Sequence, residues 1–204
     1  ATLHITRQHK GPYRANINII PSDAPYLVAD SLALRQTKGE PVANAAFGDT
    51  LTLDLRIRNI APDHAARNSR VKLRYKGDYI ELLDTVQAIG TLGAADTADL
   101  QQDFRVKVAD TVPDGAAIDY TVFMQGEDSN GAAYSWTSRL GHHVAAPELQ
   151  LKALRIEDQQ TGNGNGVLDP GESAAIIIEF TNAGHAAMPA AGLDFAYSNT
   201  YWQL

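Results

Sequence analysis

The chain has 204 residues, 44% of them hydrophobic, so it can fill one large or two small packed domains, and disorder is excluded as its main character. A net charge of −7, with the basic residues scattered singly, excludes the electrostatic footprint of a nucleic-acid binder or of a protein inserted into or held on an anionic membrane. Without cysteine there is no disulfide, thiolate nucleophile or cysteine-type zinc site, and the longest apolar runs are far too short to span a bilayer.

The first residues open directly into strand-like alternation with no signal-peptide pattern, so the chain reads as an internal or processed piece. Leu3 and Ile5, then Ile17 and Ile19, alternate with polar neighbours, and Gly11 with Pro12 between them reads as a turn. Residues 2–20 are expected to form a hairpin. An isolated hairpin is marginal in water, so residues 1–22 read as the closing strands of a preceding domain.

Strand candidates then follow at 27–34, at 50–60 through Leu51, Leu53, Leu55 and Ile57, and at 71–75, 79–83 and 85–89. Others lie at 100–108, 116–125 and 132–144, nearly all separated by turn signals. No stretch holds a helical period. The expected fold is all-β, built of immunoglobulin-like sandwiches.

An internal repeat orders these strands. Gly48, Leu53, Leu55, Ile57 and Asn59 match Gly171, Ile176, Ile178, Phe180 and Asn182 at one constant offset. With a one-residue adjustment, Val71, Leu73, Tyr75, Tyr79 and Leu82 match Leu193, Phe195, Tyr197, Tyr201 and Leu204, and residues 27–34 resemble 149–156. Two tandem copies of one module are expected: a complete sandwich at 23–146 and the N-terminal half of a second, truncated one at 147–204. A half sandwich leaves its inner face in water, so either a longer chain or a partner completes it.

The richest motif opens the second copy, at 161–172. The pattern D-x-[DN]-x-[DN]-G-x5-E collects the oxygen ligands that calcium requires, about six to eight in number. Asn163 and Asn165 take its third and fifth positions, Gly166 the turn, Val167 the backbone-carbonyl position, Asp169 the ninth and Glu172 the twelfth. Thr161 stands where the anchoring aspartate belongs, and Asp158 three residues earlier can replace it. With asparagine at both middle positions, affinity suits an extracellular calcium level. The alternative is structural: Gly162, Gly164 and Gly166 permit a tight connection while Asn and Asp side chains bond local backbone. The matching stretch of the first copy, 37–47, lacks most of these oxygens, and no ion is expected there.

The six histidines suggest no catalytic set. His142 and His143 should face opposite sides of a strand, His4 and His9 lie in the hairpin, and His64 and His185 fall in loops out of register. No nucleophile elbow, P-loop or zinc-peptidase motif occurs. Tyr75, Tyr79, Tyr197, Tyr201 and Trp202, with Trp136, offer either sugar-stacking aromatics or sandwich packing. Asp128, Asn130 and Gly131 read first as a hairpin turn.

Two stretches carry a family resemblance. Leu3 to Tyr13, with Ile17 and Ile19, is similar to the closing strands of the Ig-like domain that follows the catalytic domain in gingipain-type cysteine peptidases. Ile156 to Glu172, with Phe180 to Gly184, resembles bacterial cell-adhesion-related Ig-like modules often appended to such enzymes. The resemblance implies a non-catalytic region of a secreted or surface-anchored bacterial peptidase. Such a region would space, stabilise or present the catalytic domain, with adjacent domains of the same protein and a host or matrix protein as partners. The competing expectation is a carbohydrate-binding module of a secreted glycan-degrading enzyme.

Overall fold

The computed structural model describes residues 2–7, 10–16, 23–190, 192 and 194. In chain order the strands are β1 (Thr2–Arg7), β2 (Lys10–Asn16), β3 (Leu27–Gln36), β4 (Pro41–Val42), β5 (Ala45–Ala46), β6 (Thr50–Asn59) and β7 (Ala66–Tyr75). There follow β8 (Ile80–Leu82), β9 (Val86–Leu92), β10 (Thr97–Val108), β11 (Ala117–Glu127), β12 (Ala133–Ala145), β13 (Leu149–Glu157) and β14 (Ala175–Asn182). Two five-stranded sheets run in the orders β4-β3-β6-β10-β8 and β5-β12-β11-β7-β9, and β1-β2 and β13-β14 form two-stranded sheets. The all-β sandwich expected from the alternation is therefore present.

β1 and β2 pair antiparallel as the expected hairpin requires, but Gly11 and Pro12 are not its turn. Gly11 and Pro12 lie inside β2. The register irregularity between Ile5 and Arg7 absorbs them, so the N–H that proline lacks falls where the ladder is interrupted. Ile17 and Ile19 lie outside the described residues.

Contacts divide the chain into two compact units. The first comprises Ala1–Ala43, Thr50–Lys107 and Asp119–Gly141. Its core comes from strict alternation: Leu51, Leu53, Leu55 and Ile57 on β6, Phe104 and Val106 on β10, Val71 and Leu73 on β7, and Tyr120, Val122 and Met124 on β11 are all essentially fully buried. Each such side chain stabilises the fold by about 1.5–3 kcal/mol through area removed from water. On the outer face of the first sheet three arginines are matched by aspartates: Arg35 with Asp54 at 2.5 Å, Arg56 with Asp99 at 2.7 Å, Arg58 with Asp30 at 3.6 Å.

The second unit comprises Asn44–Asp49, Val108–Ile118 and His142–Leu204. Within it β5 runs parallel to the end of β12, pairing Ala45 with Val144, and β13 pairs antiparallel with β14. The β13–β14 pair keeps much of its apolar surface in water, with Leu151 61% and Leu154 59% exposed.

The two antiparallel pairs share one design. In β3–β6 the register begins with Leu27 opposite Asn59, breaks between Ala29 and Ser31, and resumes with Ser31 opposite Arg56. In β13–β14 it begins with Leu149 opposite Asn182, breaks between Leu151 and Ala153, and resumes with Ala153 opposite Glu179. Each ladder thus breaks two residues after its first pair. Leu193, Phe195, Tyr197, Tyr201, Trp202 and Leu204, the rest of the matched set, lie outside the described residues.

Candidate metal-binding loop

The loop joins β13 to β14 and is organised around Asp158, the residue that follows β13. Its side chain is buried at 1% exposure, and a carboxylate so placed must be satisfied by donors. Asp158 Oδ2 accepts the Asn165 N–H at 3.1 Å, Oδ1 accepts the Gly166 N–H at 3.3 Å, and its carbonyl accepts Gly162 N–H at 2.6 Å and Thr161 N–H at 3.2 Å. The chain is thereby wound around one carboxylate. Gly162 allows the closeness: a Cβ there would meet Asp158 Cβ at 2.9 Å, its carbonyl oxygen at 3.0 Å and Glu172 Cδ at 3.2 Å. Gly166 turns the chain at φ 76°, a conformation costly for side chains.

Around this centre stand the other sequence-predicted ligands. Asp169 Oδ2 accepts the amides of Asn163 at 2.8 Å and Asn165 at 3.0 Å. Glu172 Oε1 accepts Asn163 N–H at 3.0 Å and Oε2 accepts Asp169 N–H at 3.2 Å. Asn163 Oδ1 accepts the Asn165 N–H at 3.0 Å, and Asn165 Oδ1 accepts the Val167 N–H at 2.7 Å. Thr161, at the position meant for the anchoring aspartate, uses its hydroxyl on the Ser173 carbonyl. The fold thus brings Asp158, Asn163, Asn165, Asp169 and Glu172 into one hydrogen-bonded loop, with Val167 within it and its side chain exposed.

The donor chemistry fits a hard cation: three carboxylates and two amides, oxygen throughout. The oxygens are nonetheless turned onto N–H groups, and among the described residues no group of three or more His, Cys, Asp or Glu side chains is arranged to hold a metal ion. Part of the pattern has a second purpose. Ahead of β6, Asp49 accepts the Ala46 N–H at 2.9 Å and its own N–H bonds the Ala46 carbonyl at 3.2 Å. Glu172 makes the same pair with Asp169, its N–H reaching the Asp169 carbonyl at 3.1 Å. Asp49 and Glu172 therefore close turns of the same kind; Asp158, Asn163, Asn165 and Asp169 are what the 158–172 loop adds.

The other candidates fall to structural roles. Trp136 is 7% exposed, stacked on Tyr134 at 6.1 Å and edge-on to Tyr26 at 6.4 Å, so it offers no sugar platform; Trp202 lies outside the described residues. Tyr75 packs on Tyr120 at 6.0 Å. Asp128 closes the expected hairpin turn, accepting Asn130 N–H at 2.8 Å and Ala132 N–H at 2.9 Å, and these bonds hold its carboxyl below the usual range, the Ala132 bond most. His142 is lowered by burial, while His185 meets Asp114 at 2.6 Å, a pairing that sequence spacing gives no means of finding. The chain contains no cysteine, and its described residues form an all-β sandwich.

No family model and no curated protein matches this chain. Among solved structures it is similar to native alpha-2-macroglobulin from Escherichia coli, spanning domain MG7 to the C-terminus, at 17% identity and TM-score 0.45, over 68% of this chain and 20% of that one. It is also similar to BcpA, the major pilin subunit of Bacillus cereus, at 8% identity and TM-score 0.27, over 89% of this chain and 66% of that one. The chain thus spans a fifth of the macroglobulin structure's length.

Proposed function

We propose that this chain is a structural and adhesive region of a secreted or surface-anchored bacterial peptidase of the gingipain type. Ig-like modules repeat along it, and the loop from Asp158 to Glu172 holds calcium where the second module begins. The observation that carries this reading is the shared register of β3–β6 and β13–β14. One module has been used twice, and the oxygen-bearing loop has been kept or acquired in only one copy. A cation drawing together Asp158, Asn163, Asn165, the Val167 carbonyl, Asp169 and Glu172 would hold the loop against the β13–β14 pair, which has little buried apolar surface of its own. Stiffening is the work such an ion does here; the sandwich supplies spacing and surface.

Thermal unfolding in millimolar calcium and in chelator tests the loop: the melting temperature should rise with calcium, and identical curves would remove the ion. The flanking sequence of the intact gene tests the context, since a gene without a peptidase domain would remove the peptidase role.

A further inference from the structure

The outer faces of the two sheets partner their cations differently. On the first, Arg35, Arg56 and Arg58 are each matched by an aspartate, while Arg105 and Lys107 near the end of β10 have no ion-pair partner among the described residues. On the second, Arg70, Lys72 and Arg74 project from alternate positions of β7, exposed, while Val71 and Leu73 between them are buried. Among the described residues no carboxylate pairs with any of the three. Their neighbours on β11 are Gln125, Phe123 and Thr121, opposite Arg70, Lys72 and Arg74 in turn. Asp119 and Glu127, the acids on that face of β11, stand beyond the two ends of the row, and Glu127 is engaged by Asn68 at 2.8 Å. A chain with net charge −7 has thus left one sheet face with a line of cations and no acid among them.

The row is also preorganised. Arg74 lies with its guanidinium 4.3 Å from the Phe123 ring centroid, and Arg70 donates its Nε–H to Gln125 at 3.0 Å, which leaves its terminal N–H groups for an anion. A cleft of about 440 Å³ follows the row, lined also by Val86 and Ser135. Successive cations on one strand face are separated by about 6.6–6.8 Å, twice the rise per residue. An extended polypeptide repeats its same-side residues at that distance, so carboxylates at its alternate positions meet Arg70, Lys72 and Arg74 one for one. A sugar ring finds no comparable seat, because the Phe123 ring already carries the Arg74 guanidinium.

We propose that this face docks an extended acidic segment of a partner protein, with carboxylates at alternate positions paired to Arg70, Lys72 and Arg74. The proposal deepens the adhesive part of the proposed function and rests on it. It is independent of the calcium loop.

The experiment is fluorescence anisotropy with a labelled ten-residue peptide alternating Glu and Ser, in calcium and in chelator. Its comparators are a peptide of the same composition with the glutamates in one block and a heparin oligosaccharide of equal charge. The alternating peptide should bind alike in calcium and chelator, weaken at high salt, and exceed the block peptide several-fold. Joint substitution Arg70→Gln, Lys72→Gln and Arg74→Gln should reduce binding at least tenfold. An equal change of net charge elsewhere, Lys38→Gln with Arg105→Gln and Lys107→Gln, should leave it within twofold. Lys72→Gln alone, the mildest change, should reduce it measurably in a protein whose melting temperature is unchanged. No binding, equal binding of the block peptide, tighter binding of heparin, or an unaffected triple variant would each overturn the proposal. A failure here leaves the calcium-dependent melting of the loop intact as a separate result.

Discussion

Asp114 holds His185 by both its ring and its backbone. Oδ2 lies 2.6 Å from His185 Nδ1, while Oδ1 accepts the His185 N–H at 3.0 Å and the Ala146 N–H at 2.9 Å. One carboxylate, only 10% exposed, therefore ties the segment before β13 to the turn after β14.

The clasp makes stability depend on pH in two opposite ways. Asp114 is held at about 2 against an ordinary 3.8, first by the Ala146 N–H and then by the His185 ring and N–H. A lowered carboxyl stabilises the fold in full above 3.8 and loses that contribution as pH falls toward 2. His185 is raised above 6.5, first by its hydrogen bond to Asp114 and then by that residue's charge. A raised imidazole stabilises in full below 6.5 and less as pH climbs through its folded value. The pair therefore contributes most between pH 3.8 and 6.5. His185→Ala should lower the melting temperature slightly at pH 5.5, with the gap from the native chain closing at alkaline pH. A gap that stays constant would show that the imidazole charge plays no part. His185 is 79% exposed, so salt should weaken the effect.

The two matched asparagines should differ in cost. Asn59 is fully buried; its Oδ1 accepts Tyr26 and Ala61 N–H, both at 3.2 Å, and its Nδ2 donates to His64 O at 2.7 Å and Gly93 O at 2.9 Å. Asn182 repeats the pattern with Glu148 N–H at 3.0 Å, Gly184 N–H at 3.1 Å and Ala186 O at 2.8 Å, but in the open. Asn59→Ala strands buried groups at about 1–3 kcal/mol each, so a loss of about 3 kcal/mol is expected in chemical denaturation. Asn182→Ala, whose partners can turn to water, should cost about 1 kcal/mol. Equal losses at both would contradict the burial argument.

Why the strands were legible and parts of the site were not follows from the range of each interaction. Leu51, Leu53, Leu55 and Ile57 announce β6 because alternation is local, and Asn59 and Asn182 stand out because an amide that both donates and accepts at a strand end has few substitutes. The loop was legible as oxygen spacing, yet not the sharing of Glu172's turn with Asp49, which depends on atoms rather than residue types. Arg70, Lys72 and Arg74 looked scattered because apolar residues separate them; only folding as a strand puts them on one line. Trp136 and the Asp114–His185 clasp depend on residues far apart in the chain, and nothing in local pattern reports them.

In the loop, charge and turn geometry can be separated by isosteres. Asp158→Asn keeps an oxygen acceptor for the Asn165 or Gly166 N–H but removes the central charge. It should abolish most of the calcium-dependent rise in melting temperature, a gain of about 2.7 kcal/mol in native-state stability when calcium is a hundredfold above Kd. Asp169→Asn should do the same. Asp49→Asn, at the counterpart of Glu172, should weaken its turn without touching the calcium response. A calcium response that survives Asp158→Asn and Asp169→Asn would place the ion elsewhere.

Gly184 sits where the turn after β14 comes closest to the backbone before β13. Its counterpart by register is Ala61, whose methyl group is accommodated at 5% exposure. At Gly184 a Cβ would run into the Ala146 carbonyl oxygen, and would lie 2.5 Å from Glu148 N and 2.8 Å from Pro147 C. All three are backbone atoms, which no rotamer change can move aside. Gly184→Ala must therefore push the turn after β14 away from the segment before β13, weakening the Asn182 bonds to Glu148 and the reach of His185 to Asp114 together. A cost of about 1–3 kcal/mol is expected, typical of forcing an extra carbon into a closed contact. Hydrogen exchange should localise it: amides of β13 and β14 should lose protection while those of β6 and β11 keep theirs. If protection in β13 and β14 is unchanged in the Gly184→Ala protein, the close approach of these backbones is not what secures the pair.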